Sequence, residues 1–70
     1  MKINELKAEI VRNELTLEDF ANKVGMPKTT LWRRFNNPDS FTLSEITRIS
    51  KGLNLNSQRI VEIFFNEKVA

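Results

Sequence analysis

The side chains best suited to recognising another molecule lie close together, between Lys28 and Asn36. At about 100° per residue on a helix, Thr29, Trp32, Arg33 and Asn36 gather on one side, with Lys28 in the first turn, while Leu31 and Phe35 point the other way. A guanidinium such as that of Arg33 can bridge O6 and N7 of a guanine in a major groove. Trp32 has two fates open to it. It either packs an apolar edge against a thymine methyl or sugar, or folds down over the loop at Phe41 as peripheral core. The competing account of Lys28, Thr29 and Arg33 is plain solvation on an exposed helix. Arg34 sits nearer the flank of the wheel, where a surface or phosphate-contacting role suits it as well as a base contact. Asn36, Asn37 and Ser40 are placed to donate to phosphates from the following loop, although turn formation alone is sufficient to explain them.

Other chemistry lacks its parts. The chain contains no cysteine and no histidine, which removes disulfides, thiolate or imidazole metal sites, and nucleophilic or general-base catalysis by those groups. Glu5, Glu9 and Glu14 belong to what reads as a solvated helix face, and Glu18 and Asp19 to a helix start. No acid–base pair suggests itself, so the expectation is a protein that is not an enzyme and uses no cofactor and no metal.

The net charge of +2 is small, but its distribution is uneven. Residues 1–20 carry three cations against five carboxylates, a balance of −2; residues 21–40 carry four against one, a balance of +3; residues 41–70 add +1. The positive excess falls on the segment that holds Lys28 and Arg33, where a nucleic-acid reader needs it. With 70 residues, 40% of them hydrophobic, the chain is expected to form one domain over residues 1–70. No apolar run approaches a membrane span and the first residues lack a signal-peptide core, so the expected location is the cytoplasm, in association with the nucleoid.

The elements that must position these residues follow from apolar spacing and end signals. Ile3, Leu6, Ile10 and Val11 set one side of a first helix, about Ile3 to Glu14, whose Glu5 and Glu9 read as solvated surface. Thr16 can cap a second helix with Glu18 and Asp19 in its first turn, Leu15 standing just outside, and Leu17, Phe20, Ala21 and Val24 forming its buried stripe. Gly25 supplies the positive φ that ends it. Pro27 suits the first turn of a third helix running from Lys28 to about Asn36. After the turn-rich Asn36–Ser40 loop, Phe41 is expected to return to the core. Thr42 with Glu45 is a capping-box pattern for a fourth helix, with Leu43, Ile46, Ile49 and Leu53 as its stripe and Asn54 in a left-handed end position. Gly52 inside this helix points to close packing.

Asn56 or Ser57 begins a last helix through about Phe65, and residues 66–70 read as a frayed tail. Ile60, Val61, Ile63, Phe64 and Phe65 exceed what one face of a terminal helix is expected to bury. Ile60, Ile63, Phe64 and Phe65 are therefore candidates for a dimer or protein interface.

This arrangement, with Phe20-Ala21-Asn22-Lys23-Val24-Gly25-Met26-Pro27-Lys28-Thr29-Thr30-Leu31 as its most specific run, resembles the helix-turn-helix of the lambda-type repressor and Cro family over roughly residues 2–65. The run from Thr30 to Asn36, with Phe41–Ile46 and Glu62–Phe65, is also similar to small Cro-like regulators of phages of Gram-positive bacteria. The resemblance implies an all-α, compact five-helix lambda-repressor-like domain in which helices 2 and 3 form the helix-turn-helix. It further implies base contacts by Lys28 and Thr29 and a phosphate contact by Thr30. The implied function is repression of transcription by a homodimer on double-stranded operator DNA, with two third helices about one DNA turn, ~34 Å, apart. Many members carry, where this chain has Leu17, a Gln that anchors a phosphate, so the resemblance does not extend to that contact. Ser or Thr commonly replaces Pro27, and Gly replaces Asn37. Leu17 and Trp32 fit a second expectation equally well: an antirepressor that binds a repressor protein through the same surface.

Overall fold

Side-chain and backbone hydrogen bonds at the helix ends decide where each helix begins and stops. The computed structural model describes residues 1–65, over which the chain forms five α-helices and no strand: α1 (Ile3–Arg12), α2 (Leu17–Val24), α3 (Lys28–Asn36), α4 (Leu43–Gly52) and α5 (Ser57–Phe64). A single 3-10 turn, Pro38–Ser40, separates α3 from α4. The all-α class expected from the sequence is the one found. The frayed tail expected at residues 66–70 lies outside the described residues.

Two capping boxes start α2 and α4. The Asp19 N–H donates to Thr16 Oγ1 at 3.1 Å and the Thr16 N–H to Asp19 Oδ2 at 3.3 Å; Glu45 and Thr42 exchange the same pair at 3.1 and 2.9 Å. Asn56, rather than Ser57, caps α5, its Oδ1 accepting from the Arg59 N–H at 2.8 Å. Pro27 stands at the N-cap of α3, and its carbonyl accepts from the Leu31 N–H at 3.0 Å.

Three helices end in the same way, with a left-handed residue followed by two backbone hydrogen bonds that close the last turn. After α2, Gly25 has φ 71°, its N–H donating to the Asn22 carbonyl and the next N–H to that of Ala21. Asn54 does the same after α4 with φ 53°. After α1 the residue is Glu14, with φ 57°, which ends that helix at Arg12, short of the expected Glu14. A side chain with a Cβ meets the carbonyl oxygen there at a cost of roughly 1–2 kcal/mol, part of which glycine returns through its larger unfolded-state entropy. Glu14→Gly is therefore expected to stabilise the fold by about 0.5–1 kcal/mol, measured as a raised urea midpoint with an unchanged slope.

Each helix sends one large, fully buried side chain into the core: Leu6, Phe20, Leu31, Ile49 and Ile63. Around them lie Ile10, Ala21, Val24, Met26, Ile46 and Leu53. Phe41 closes one end of the core as expected, its ring 6.3 Å from those of both Phe35 and Phe64. The close approach expected at Gly52 is present: a Cβ there would stand 2.9 Å from Val24 Cγ1, so α2 and α4 meet where the side chain is missing.

Several apolar expectations change. Val11 and Leu43, assigned to core stripes, are each 72% exposed. On α4 the inner face is instead Glu45, Ile46, Ile49 and Ser50, the Ser50 hydroxyl donating to the Ile46 carbonyl at 2.7 Å. Ile63 and Phe64 are buried within this chain and so are not available as an interface, while Ile60 packs half-buried against the core. The reason is that α5 is covered on two sides. It packs against α1, where the Lys2 N–H donates to the Ile63 carbonyl at 2.7 Å, and it meets Phe41 through Phe64. What α5 leaves outward is Val61 and Phe65.

Candidate functional site

Lys28, Thr29, Trp32 and Arg33 line one open concavity of about 460 Å³ on the outer side of α3. Leu31, on the opposite side of the same helix, has no exposed surface and anchors α3 to the core. The opposition arises within six residues because 100° per residue places Leu31 away from both Thr29 and Arg33. Trp32 is 58% exposed, so it does not fold over the Phe41 loop as core. Its ring also borders a second open groove of about 310 Å³, lined by Val11, Leu15, Leu17, Phe35 and Asn36 and by Lys7, whose Nζ stands 6.0 Å from the Phe35 ring centroid. Leu17, half-buried, thus belongs to the same depression as Trp32.

The other candidates are placed differently. Arg34 turns inward and makes a two-pronged ion pair with Glu45, Nε to Oε1 at 3.0 Å and Nη2 to Oε2 at 3.3 Å. Since Glu45 Oε1 also accepts from the Thr42 N–H, this pair locks the end of α3 to the start of α4. Arg34 is therefore a structural clamp and not part of the open face. Asn36 Nδ2 donates to the Trp32 carbonyl within α3 at 2.9 Å, and the Ser40 hydroxyl to the Asn37 carbonyl in the following turn at 2.6 Å, so both side chains are engaged by local backbone. Asn37 is exposed and Thr30 half-buried at the edge of α3.

A second set of ion pairs lay hidden in the sequence. Arg59 of α5 donates to Glu5 Oε1 (2.9 Å), Glu9 Oε1 (3.1 and 3.2 Å) and Glu62 Oε2 (3.0 Å), and Arg12 also pairs with Glu9. Glu5 and Glu9 are accordingly the α1 half of a bridge to α5 and not merely solvated surface. Their like charges at i, i+4 repel without a shared cation, and that spacing was the available signal. The consequence for the candidate face is charge segregation. Lys23, Lys28, Arg33, Arg48 and Lys51 have no carboxylate within ion-pair distance among the described residues, whereas the acids of α1, α4 and α5 are occupied elsewhere.

These pairs make stability depend on acid. Hydrogen bonding and charge from Arg59 hold the Glu5 carboxyl below its ordinary value. For Glu45, burial by itself pushes the value up, but the hydrogen bond from Arg34, the Thr42 N–H and the Arg34 charge together outweigh it, and the net displacement is downward. Carboxyls lowered in the folded state stabilise it above their unfolded value, ordinarily 4.5, and that contribution disappears as pH falls through the folded value. Thermal midpoints are therefore expected to be flat from neutral pH to about 5 and to decline below 4.5. Glu45→Gln should flatten part of that decline; an unchanged profile in this variant would exclude Glu45 as a source.

No helix among the described residues is long and apolar enough to cross a membrane. Comparison with protein-family models, with curated proteins and with solved structures gave no match.

Proposed function

We propose that α2, the Gly25 turn and α3 form a helix-turn-helix of the lambda repressor and Cro type. On this reading the chain is a sequence-specific DNA-binding regulator of transcription, a repressor acting in the bacterial cytoplasm. The observation that carries the proposal is the open face shared by Lys28, Thr29, Trp32 and Arg33, with its cations unpaired among the described residues and its helix fixed from behind by Leu31 and the Arg34–Glu45 clamp. In the major groove Arg33 reads guanine, Lys28 and Thr29 contact base edges from the first turn, and Trp32 lies against a thymine methyl or sugar. Thr30 and Asn37 remain the phosphate contacts. Repression follows from occupancy of the operator.

One module of this size buries little DNA, and two copies on a partly palindromic site supply the affinity. Leu43, Ile60 and Phe65 line an open groove of about 370 Å³ between α4 and α5, and these replace Ile63 and Phe64 as the proposed contact with a second copy. Titration of the protein against DNA from its own promoter region and against a mixed-sequence duplex, at roughly 50 and 200 mM salt, tests the reading. Equal affinity for the two DNAs, unchanged by Arg33→Ala, would defeat it.

One observation favours a second reading. Val11, Leu17 and Trp32 border one apolar depression beside α3. An antirepressor would seat a repressor protein there, and a stable heterocomplex on size-exclusion chromatography after coexpression with the neighbouring repressor would select it.

A further inference from the structure

A second basic surface lies beside the Gly25 turn. Lys23 in the last turn of α2, together with Arg48 and Lys51 of α4, lines an open groove of about 330 Å³ floored by Val24 and Gly52. The cations converge because α2 and α4 touch where Gly52 has no side chain. Arg48 Nη1 donates to the Gly25 carbonyl at 3.3 Å, so its guanidinium rests against the turn that leads directly to Lys28. Lys23, Arg48 and Lys51 are all exposed, and none pairs with a carboxylate among the described residues.

Helix dipoles account for only part of this charge. The C-termini of α2 and α4 each carry the equivalent of about −0.5, close to −1 together, against three full cations. A surplus of about +2 is left facing solvent. The groove is shallow and holds no buried polar side chain of the kind a small discrete anion needs, whereas cations spread over two helices suit an extended polyanion. Continuity with Lys28 through a three-residue turn gives that polyanion a direction.

We propose that Lys23, Arg48 and Lys51 grip the phosphate backbone of DNA along the edge of the groove entered by α3, on the side of the Gly25 turn. The proposal rests on the DNA-binding reading above and adds to it a contact that supplies affinity without sequence preference. Each phosphate neutralised contributes about −0.9 to the slope of log K against log salt.

The test measures that slope by anisotropy on a promoter-region duplex, extended enough to flank the bound site, for wild type, Lys23→Gln/Lys51→Gln, and Lys2→Gln/Arg12→Gln. The last pair removes the same charge from α1 and its N-terminal flank. A slope shallower by about 1.8 in the first variant and little changed in the second is the expected result. Arg48→Gln should remove a further ~0.9, with a thermal melt to confirm that losing the Gly25 hydrogen bond has not unfolded the chain. If wild type binds DNA and Arg33→Ala weakens promoter binding while Lys23→Gln/Lys51→Gln keeps the wild-type slope, this contact is wrong and the DNA-binding reading stands. Equal slope losses in both charge pairs would also overturn it, since net charge alone would then explain the effect. No binding by wild type removes both proposals.

Discussion

Arg33→Ala is expected to weaken binding to promoter DNA by about 1–3 kcal/mol, roughly 5- to 150-fold, while its neighbour Arg34→Ala destabilises the fold by about 2 kcal/mol. The two residues are adjacent on α3 and chemically identical, so the contrast depends only on where the helix points them. Arg33 is exposed and unpaired, and truncating such a side chain ordinarily changes stability by no more than about 0.5 kcal/mol. Arg34 is the two-pronged partner of a Glu45 that is only 8% exposed, and removing it leaves that carboxylate partly desolvated with the Thr42 N–H, at 2.9 Å, as its remaining donor. Glu45 carries a second load as the capping-box acid of α4, so its own loss is not equivalent. A double-mutant cycle over Arg34→Ala and Glu45→Ala, read by urea unfolding, should show a coupling of at least about 1 kcal/mol. Additive losses, or a folded Arg34→Ala with wild-type stability, would show that α3 is oriented without the clamp.

Phe20→Ala is expected to have the largest effect on the fold, a loss of about 3–5 kcal/mol. Phe20 is the bulkiest of the fully buried side chains, and it lies beneath the contact between α2 and α4, where its Cε1 stands 4.0 Å from the place a Cβ on Gly52 would occupy. The tight α2–α4 contact leaves little freedom to collapse into the cavity, which places the cost toward the upper end of the range. At about 0.05–0.15 kcal/mol per residue a domain of this length has roughly 4–10 kcal/mol in total, so the variant should melt at least about 12 °C lower or be largely unfolded. Far-UV circular dichroism melts decide the matter. A shift of only a few degrees would mean that the core can repack around α2.

Local chemistry was legible in the sequence, and distant pairing was not. Thr16 and Thr42, each three residues before an acid, marked two helix starts, and Gly25 and Asn54 marked two ends, because a cap is a bond between near neighbours. The buried residues Leu6, Phe20, Leu31 and Ile49 followed from helical spacing. Arg34 was misplaced because its partner is 11 residues away on another helix, and Arg59 went unnoticed because Glu5 and Glu9 are 54 and 50 residues away. Wheel geometry places a side chain on a flank but does not say which helix faces it. Ile63 and Phe64 looked surplus for the same reason: a terminal helix was assigned one buried face, whereas α5 is covered by α1 and by Phe41. Glu14 gave no signal, since glutamate is a rare choice for a left-handed helix end. At the candidate face, spacing grouped Thr29, Trp32, Arg33 and Asn36, with Lys28 in the first turn; the structure brings Lys28, Thr29, Trp32 and Arg33 to one surface, while the Asn36 amide bonds the Trp32 carbonyl.

On the proposed reading, those four side chains, carried on two copies of α3, impose a sequence and a spacing on bound DNA. Selection of bound duplexes from a randomised pool by the wild-type protein tests this most directly. The expected result is an enriched, partly palindromic motif whose half-sites are centred one helical turn apart, about 10–10.5 base pairs, or a multiple of it, and in which Arg33→Ala loses the preference at the guanine that Arg33 reads. Recovery of no preferred sequence from a pool that the folded protein was free to bind would contradict the account.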